Sequence, residues 1–215
     1  MIGNLKVGVV IPAYNEAASL ERLLPRIPRD LCDLVVVVND CSTDGTSAAA
    51  RALGATVIDR PERGGPGPAI RDGLDLLRSR KFDIVAVMAS NGKHDPAQLP
   101  DLIRPLAEES FDLVRGSRHL EGGGHVNIPW HRLVLIQVFT VLFSALAGRR
   151  VTDATGGYQA YRDRGFEPGA FPVTEAAARR VLSLPMYPEL PEAEVRRVAE
   201  ALSASLVQKA PFTPA

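Results

Sequence analysis

Residues 82–96, FDIVAVMASNGKHDP, decide how this chain folds. Residues 83–88 predict a buried strand, because the apolar run is too short for a helix and is rich in Val and Ile. Small and polar residues follow it at once: Ala89, Ser90, Asn91, Gly92, Lys93, His94 and Asp95. In an open α/β sheet the ligand crevice lies at the carboxyl ends of the strands. We therefore expect the functional site to be built around this turn.

The rest of the first half repeats the same alternation of strand and helix. Strands are predicted at residues 7–11, 34–38, 56–59, 83–88 and 112–116, and helices at residues 15–27, 43–53, 69–79 and 98–108. Ser42 or Thr43 is expected to cap the second helix, and Gly54 to end it. Asp95, before Pro96, is a candidate cap for the fourth. This order predicts an α/β fold, a mostly parallel sheet with helices on both faces.

Composition narrows the functional class. The 215 residues suit one domain with a small appendage, and Lys plus Arg equal Asp plus Glu at 25 each, so no basic field for nucleic acid is expected. Cys32 and Cys41 lack the spacing of a metal or redox motif. The first apolar run predicts a strand rather than a signal peptide. The two cysteines are expected to be reduced thiols. Together with a first strand in place of a signal peptide, they favour a cytoplasmic protein.

Residues 133–147, LVLIQVFTVLFSALA, carry no charge but fall short of the roughly 20 residues that span a bilayer. Gln137, Thr140 and Ser144 would form one polar stripe on this helix. The pattern favours a core helix with one edge in a cleft. A peripheral surface that contacts the membrane or a lipid acceptor stays open as the alternative.

Three loops follow predicted strands and carry polar or glycine-rich sequence. Residues 12–16, PAYNE, precede a helix N-terminus that could hold an anion, although a plain turn with Asn15 as cap is favoured for this motif alone. In residues 39–46, NDCSTDGT, Asp40 could accept hydrogen bonds from a base or ribose, whereas Asp44 suits helix capping. Residues 64–71, GGPGPAIR, could approach a diphosphate closely but lack the Gly-Lys-Ser/Thr of a Walker A loop.

Taken in order, these segments resemble family 2 glycosyltransferases of the GT-A (Rossmann-like) fold, most closely the polyprenyl-phosphate mannosyl- and glucosyltransferase branch. The resemblance covers residues 5–162. It is carried by VVIPAYNE (9–16), VVNDCSTDGT (37–46), GPGPAIRDGL (65–74), VMASNGKHDP (87–96), VRGSRHLEGGG (114–124), PWHR (129–132) and VTDATGGYQAYR (151–162). Each motif alone is weak evidence for this family, whereas seven motifs in register are strong evidence.

The resemblance implies a role for each matching residue. The donor nucleotide would bind at Pro12, Ala13, Tyr14, Glu16, Asp40, Arg71 and Asn91. The phosphates and the acceptor would meet Arg118, Arg132, Gly156, Gly157 and Gln159. Asp153 would be the base for a hydroxyl acceptor, whereas a phosphate acceptor is already ionised and needs none. Asp153, Lys93 and Arg118 are thus the predicted catalytic residues.

One departure concerns the metal. The family carries Mg²⁺ or Mn²⁺ on an Asp-x-Asp motif, often followed by Gln, and this chain has Ala89, Asn91 and Lys93 at those positions. Hard divalent ions prefer anionic oxygen ligands, so the site is degenerate, with Asn91 and Asp95 as weak candidate ligands. The Lys93 ammonium could stabilise the leaving diphosphate in place of a metal.

The second departure is the tail, residues 163–215, predicted to be a short helical appendage to the glycosyltransferase domain at residues 1–162. Residues 169–203 resemble the C-terminal end of DegT/DnrJ/EryC1/StrS sugar aminotransferases, and helices are expected at 174–182 and 192–206. That stretch has no lysine, so pyridoxal phosphate is not expected. The tail would cap the transferase or contact a partner. The possibility that the protein forms a homo-oligomer stays open.

The resemblance thus implies an inverting transferase that moves a sugar from a nucleoside diphosphate sugar (UDP or GDP) to a polyprenyl phosphate or a small-molecule acceptor. The loss of the metal ligands leaves open a catalytically silent nucleotide-sugar-binding protein. A nucleotidyltransferase would share the sheet, but it would need an early Gly-x-Gly and lysine near the first strand.

Overall fold

The structure, a computed structural model, describes residues 5–109, 111–120, 123–124, 128–148 and 150–165. All of them belong to one compact unit, which spans Met1–Gly165. The tail predicted at 163–215 lies outside the described residues except for its first three, and with it the two helices predicted there.

Within this part of the chain, six strands form one sheet in the order β3-β2-β1-β4-β6-β5. The strands are β1 (Val7–Ala13), β2 (Leu34–Asn39), β3 (Thr56–Asp59), β4 (Ile84–Val87), β5 (Leu113–Arg115) and β6 (Gln159–Arg162). The helices are α1 (Ala17–Leu23), α2 (Thr46–Ala52), α3 (Pro66–Ser79), α4 (Leu99–Glu108) and α5 (Trp130–Ala147), and short 3-10 turns occupy Leu24–Arg26 and Pro96–Gln98.

Strands β1 to β4 are parallel, whereas β6 runs antiparallel to both β4 and β5. The predicted mostly parallel sheet is confirmed. Strand β6 was not predicted, because its sequence, QAYR, lacks the apolar run that marks the other strands. Its pairing with β4 brings the segment before it to the carboxyl end of β4, and this places residues 153–158 beside the turn at 88–95.

The sheet has a hydrophobic core on each face, so the prediction of helices on both faces is also confirmed. On one face, Val9 and Ile11 of β1 join a cluster that includes Leu20 of α1 and Ile103 of α4. On the other face, Val10 of β1 joins a cluster built mainly with α3. Alternate residues of β1 therefore serve opposite cores, as the period of a strand requires.

Several helices begin at other residues than predicted, and the residues at each start account for the difference. Helix α1 begins at Ala17 rather than at residue 15, because Asn15 has a positive φ of 53° that no helix accommodates. Helix α2 begins at Thr46 rather than at residue 43, and Asp44 Oδ1 accepts from the Thr46 N–H at 2.9 Å. Helix α3 begins earlier than predicted, at Pro66, because proline is tolerated in a first turn. Asp95 does cap its turn, accepting from the Ala97 N–H.

Helix α5 corrects the interpretation of residues 133–147 as a core helix. Its buried side chains are Ile136 and Thr140, and the predicted polar stripe packs inward through Thr140 and Ser144, which accept from the N–H groups of Ala154 and Val151. Most of its apolar side chains are exposed: Val134, Leu135, Val138, Phe139, Val141, Leu142, Phe143 and Leu146. Periodicity located the stripe but could not say which side faces the protein. None of the described helices is long and apolar enough to cross a membrane.

Helix α3 lies unusually close to β1, and two glycines make this approach possible. A Cβ added at Gly73 would lie 2.4 Å from Val10 Cγ1, and one at Gly8 would lie 2.5 Å from Leu77 Cδ1. Real Cβ atoms do not approach other carbons so closely. The packing of α3 on the sheet therefore requires glycine at both positions.

We expect Gly73→Ala to lower the free energy of unfolding by about 1–3 kcal/mol, because the added methyl overpacks a filled contact with a β-branched side chain. Urea denaturation at neutral pH measures the change. The matched control is Gly67→Ala in the same helix, where a Cβ meets nothing within 4 Å. That variant should be neutral or more stable by up to about 1 kcal/mol, since alanine favours helix. Equal effects of the two substitutions would contradict the close approach.

Candidate active site

The loops after β1 and β2 are bound to each other. Asn15 lies at the centre of this contact: its N–H donates to Ser42 Oγ at 2.9 Å, and its Oδ1 accepts from the Thr43 N–H at 2.9 Å. The Glu16 N–H donates to Thr46 Oγ1 at 2.9 Å. Asn15 therefore joins the two loops, which is a role that the capping interpretation did not include.

The predicted nucleotide residues Pro12, Ala13 and Tyr14 lie at the end of β1, next to this contact. Ala13 is buried, and its carbonyl accepts from the Asp40 N–H at 2.8 Å. The guanidinium of Arg63 lies over the Tyr14 ring, 3.8 Å from its centroid, in a cation–π contact. Arg63 directly precedes the glycine-rich loop, whose Gly64 and Gly65 contact Asp40, so all three predicted loops meet here.

Asp40, predicted to bind base or ribose, is hydrogen-bonded to the glycine-rich loop in this structure. Its carboxylate accepts from the N–H groups of Gly64 at 2.9 Å and Gly65 at 2.7 Å and pairs with Arg60 Nη1. Burial alone would raise the pKa of Asp40, but the hydrogen bonds from Gly64, Arg60 and Gly65 outweigh it and hold the pKa below its usual value. Sequence reasoning missed Arg60, whose signal was a cation directly after β3, in the loop that precedes the glycine-rich segment.

A cavity of about 280 Å³ opens where the turn after β4 meets the segments before α5 and β6. Five residues of the predicted site line it together: Lys93, Arg118, Arg132, Gly156 and Gly157. They come from four separate stretches of sequence. None of the described lining residues is acidic, so positively charged side chains dominate the walls.

Asp153 lies behind this cavity in an ion pair with Arg118. Its side chain is fully buried, and it accepts from Arg118 Nε at 2.7 Å and Arg118 Nη2 at 2.8 Å, with further bonds from the Arg118 and Thr155 N–H groups. Burial acts to raise the pKa of Asp153, but the donors of Arg118 and Thr155 hold it far below its usual value. The pKa of Arg118 is raised by the same pair. The bidentate geometry fixes the direction of the guanidinium.

His94, which sequence reasoning quoted without a role, also lines the cavity. Its ring stacks on Tyr158 with centroids 4.7 Å apart, and its Nδ1 accepts from the Ala89 N–H at 3.0 Å. Burial, with Arg118 and Lys93 nearby, lowers the pKa of His94 to about 4. The ring is therefore neutral near pH 7, and because Nδ1 is an acceptor, Nε2 carries the proton.

The remaining predicted residues lie apart from the cavity. Gln159 is on β6, where its Oε1 accepts from Arg115 Nη2 at 3.3 Å. Arg71 is exposed on α3, and Asn91 is exposed in the turn after β4. Glu16 precedes the first residue of α1. The predicted set thus divides between the loops of β1 and β2 and the cavity beside β4.

The fold has the architecture of GT-A glycosyltransferases. Its sheet is mostly parallel, polar loops lie at the carboxyl ends of the strands, and the antiparallel strand β6 lies beside β4. The chain belongs to glycosyl transferase family 2, whose family model matches residues 8–169. A second model, of the DegT/DnrJ/EryC1/StrS aminotransferase family, matches residues 150–203 and overlaps the first. The described part of that overlap supplies Asp153 and β6 to the GT-A fold.

Two curated relatives are similar over most of this chain. Polyprenol monophosphomannose synthase of Mycolicibacterium smegmatis is 34% identical over 161 residues, which cover 72% of this chain and 60% of that protein. Undecaprenyl-phosphate mannosyltransferase of Micrococcus luteus is 35% identical over 164 residues, 74% of this chain and 67% of that protein. The chain thus spans only part of the length of either relative.

A solved structure is similar in fold. The crystal structure of glucosyl-3-phosphoglycerate synthase from Mycobacterium tuberculosis, in complex with Mn²⁺, uridine-diphosphate-glucose and phosphoglyceric acid, has 27% identity and a TM-score of 0.57. The similarity covers 75% of this chain and 60% of that chain.

The residues after β4 do not fit the divalent cation that the family implies. Ala89 offers no ligand, and Asn91 Oδ1 accepts from the Lys93 N–H at 3.2 Å. Asp95 Oδ1 accepts from Arg26 Nη2 at 2.8 Å and caps the next turn. Among the described side chains, no three His, Cys, Asp or Glu residues are grouped as metal ligands. This donor set lacks the carboxylates that Mg²⁺ and Mn²⁺ require.

The neutrality of His94 predicts a pH dependence of stability. The pKa of His94 is about 4 in the folded state and 6.5 for an unperturbed histidine, so the unfolded state binds more protons between these pH values. The contribution of the neutral His94 side chain to the free energy of unfolding is fully present above pH 6.5 and is lost as the pH falls. We expect the free energy of unfolding to drop by about 1–2 kcal/mol from pH 7 to pH 5 through this group.

Urea denaturation of wild type and His94→Phe at both pH values measures this effect. The phenylalanine keeps a ring to stack on Tyr158 but does not titrate, so its stability should change less with pH. His131→Gln, at an exposed position in the first turn of α5, is the control and should keep the slope of wild type. An unchanged slope in His94→Phe would show that other groups cause the pH dependence.

Proposed function

We propose that this chain transfers a sugar, with inversion, from a nucleoside diphosphate sugar (UDP or GDP) to an acceptor that carries a phosphate, either a polyprenyl phosphate or a phosphorylated small molecule. The observation that carries this proposal is the cavity lined by Lys93, Arg118 and Arg132. Cationic side chains on one cavity suit phosphate groups, and guanidinium forks match phosphate oxygens. The activity named for both curated relatives, and the UDP-glucose in the solved structure, support a donor and acceptor of these classes.

In this proposal the base and ribose bind at the joined loops of β1 and β2. Tyr14 offers an aromatic face, and Pro12, Ala13 and Glu16 form the adjoining wall. Asp40 contributes indirectly, because its carboxylate is used to hold the N–H groups of Gly64 and Gly65. The diphosphate then extends towards the turn after β4, past Asn91, with the exposed Arg71 on the neighbouring helix.

The environment of Asp153 favours a phosphate acceptor over a hydroxyl acceptor. A general base must reach the proton that it removes and must have a pKa near the working pH. The oxygens of Asp153 already accept from Arg118 and Thr155, and its pKa is far below its usual value. An ionised phosphate needs no base. We therefore assign Asp153 to positioning Arg118 rather than to proton transfer.

The transfer itself is a single in-line displacement in this scheme. An oxygen of the acceptor phosphate forms a bond to the anomeric carbon while the bond from that carbon to the donor diphosphate breaks. The electron pair of the broken bond stays on the diphosphate. One displacement inverts the anomeric configuration. Arg118, held by Asp153, and Arg132 stabilise the phosphate charges on either side of the reacting carbon.

A screen of UDP-, GDP- and dTDP-sugars by thermal shift, followed by a product assay with polyprenyl phosphate and with phosphorylated small molecules, tests the proposal. We expect Arg132→Gln to lower transfer by about 100-fold, because one charged donor to the reacting groups is lost. Its stability should be unchanged, since Arg132 is exposed. Arg104→Gln, which removes an exposed arginine of α4, is the matched control and should retain full transfer.

The same assays separate the alternatives. Binding of a nucleotide sugar with no product from any phosphate acceptor would favour the catalytically silent binding protein, which the lost metal ligands also suit. Release of pyrophosphate from a nucleoside triphosphate would favour a nucleotidyltransferase. Transfer to a neutral hydroxyl acceptor in preference to a phosphate would contradict the role assigned to Asp153.

The exposed apolar side of α5 supports a peripheral contact with the membrane that would present a lipid acceptor. Leu135, Phe139, Leu142 and Leu146 are spaced along one face of the helix, and Leu146 is 89% exposed. Arg132, in the first turn of the same helix, lines the cationic cavity. A lipid phosphate could thus reach the cavity while its chain stays in the bilayer.

The triple variant Leu135→Ser, Leu142→Ser, Leu146→Ser should lose binding to vesicles of anionic phospholipid, because the apolar area that would enter the lipid is removed. Co-sedimentation measures binding. Phe111→Ser, which removes an exposed apolar side chain outside α5, is the control and should bind as wild type does. Equal vesicle binding by wild type and the triple variant would contradict the membrane contact. The triple variant should transfer sugar to soluble acceptors as wild type does.

A further inference from the structure

We propose that the ammonium group of Lys93 replaces the divalent metal, so that this chain binds the diphosphate of its donor and releases it without Mg²⁺ or Mn²⁺. This inference rests on the proposed function and assigns the chemistry at the leaving group of that reaction. It concerns the turn after β4, which the resemblance identifies with the metal-binding motif of the family.

The first support is the chemistry of that turn. A methyl group at position 89 and an amide at position 91 replace two carboxylates, and hard divalent ions bind these weakly or not at all. The amide oxygen of Asn91 is already used, since it accepts from the Lys93 N–H at 3.2 Å. This bond also shapes the turn, in which Gly92 has a φ of 74°. The side chain that this turn contributes to the cavity is thus a lysine rather than a carboxylate.

The second support is that the neighbouring carboxylates are occupied by arginine. Asp95 pairs with Arg26 at 2.8 Å. Asp153 is fully buried against Arg118, so it could bind a metal only if that ion pair broke. Breaking a buried ion pair leaves an uncompensated charge, which is strongly destabilising. Neither carboxylate of these pairs is arranged as a free ligand for a cation beside β4.

The third support is the charge of the cavity. Lys93, Arg118 and Arg132 line the same space, and none of the described lining residues is acidic. The charge of Arg118 is already paired with Asp153 behind the cavity, but those of Lys93 and Arg132 would repel a divalent cation placed there and attract a diphosphate. The protein therefore supplies the positive charge that a metal would otherwise bring to the diphosphate.

The step balances without any added reactant. As the bond between the anomeric carbon and the donor oxygen breaks, its electron pair stays on that terminal oxygen of the diphosphate. The Lys93 ammonium donates a hydrogen bond to this oxygen and offsets its new charge. The acceptor phosphate supplies the electron pair of the new bond to carbon. Charge stabilisation of this kind acts where the charge develops.

Isothermal titration of UDP and GDP into the protein tests the inference, with EDTA, Mg²⁺ or Mn²⁺ present in separate runs. We expect the affinity of wild type to change by less than about 3-fold among these conditions, whereas Lys93→Ala should lose about 10- to 100-fold in EDTA, as expected for a hydrogen bond to a charged group. Lys6→Ala, which removes an exposed lysine before the first residue of β1, is the matched control and should bind as wild type does.

The converse variant, Ala89→Asp, Asn91→Asp, Lys93→Gln, rebuilds the family motif. It should bind nucleotide about 10-fold more tightly with Mn²⁺ than with EDTA, because two carboxylates then face the diphosphate. An affinity of wild type that rises 10-fold or more with either metal would overturn the role of Lys93 and leave the proposed transferase intact. Failure of both nucleotides to bind under every condition would overturn both proposals.

Discussion

The buried carboxylate of Asp153 is the constraint on which the site depends. A charge removed from water is costly unless it is paired and hydrogen-bonded, and Asp153 meets this requirement through the Nε and Nη2 edge of Arg118. The pair joins the segment after β5 to the segment before β6. Because the carboxylate cannot move, the guanidinium holds one direction before any ligand arrives. Preorganised charge of this kind needs no rearrangement during a reaction.

The same principle is used a second time on the other side of the site. Asp40 is also buried, and it is satisfied by Arg60 and by two backbone N–H groups of the glycine-rich loop. Both buried carboxylates therefore serve to fix loops and arginines. The cavity retains the positive charge of Lys93 and the arginines, and this sign is opposite to that of a site built from two free carboxylates.

Sequence reasoning predicted the features that depend on local pattern. The apolar runs located β1 to β4, and the dipeptide Asp95-Pro96 predicted a cap that the structure confirms. It failed where a distant partner decides the outcome. Arg60 and Arg63 lie in an irregular loop, and only the fold shows that they meet Asp40 and Tyr14. The burial of the polar side of α5 was missed for the same reason, since periodicity defines faces but does not assign them to the core.

Residue-type patterns also explain why the sequence predicted only part of the candidate site. Motif order brought Lys93, Arg118 and Arg132 into one predicted set, and the cavity contains them. The function of each carboxylate could not be deduced, because a buried acid and an exposed one look alike in sequence. The stacking of His94 on Tyr158 depends on the antiparallel pairing of β6, and no local sequence pattern predicted that strand.

The contact between the loops of β1 and β2 has a mechanical consequence. Asn15, Ser42, Thr43 and Thr46 connect these loops through short hydrogen bonds, so neither loop can shift without drawing the other with it. A mobile flap over these loops would have to come from another part of the chain. The wall beside Tyr14 is thus a stiff frame, and much of the conformational entropy of ordering it is lost during folding rather than during binding.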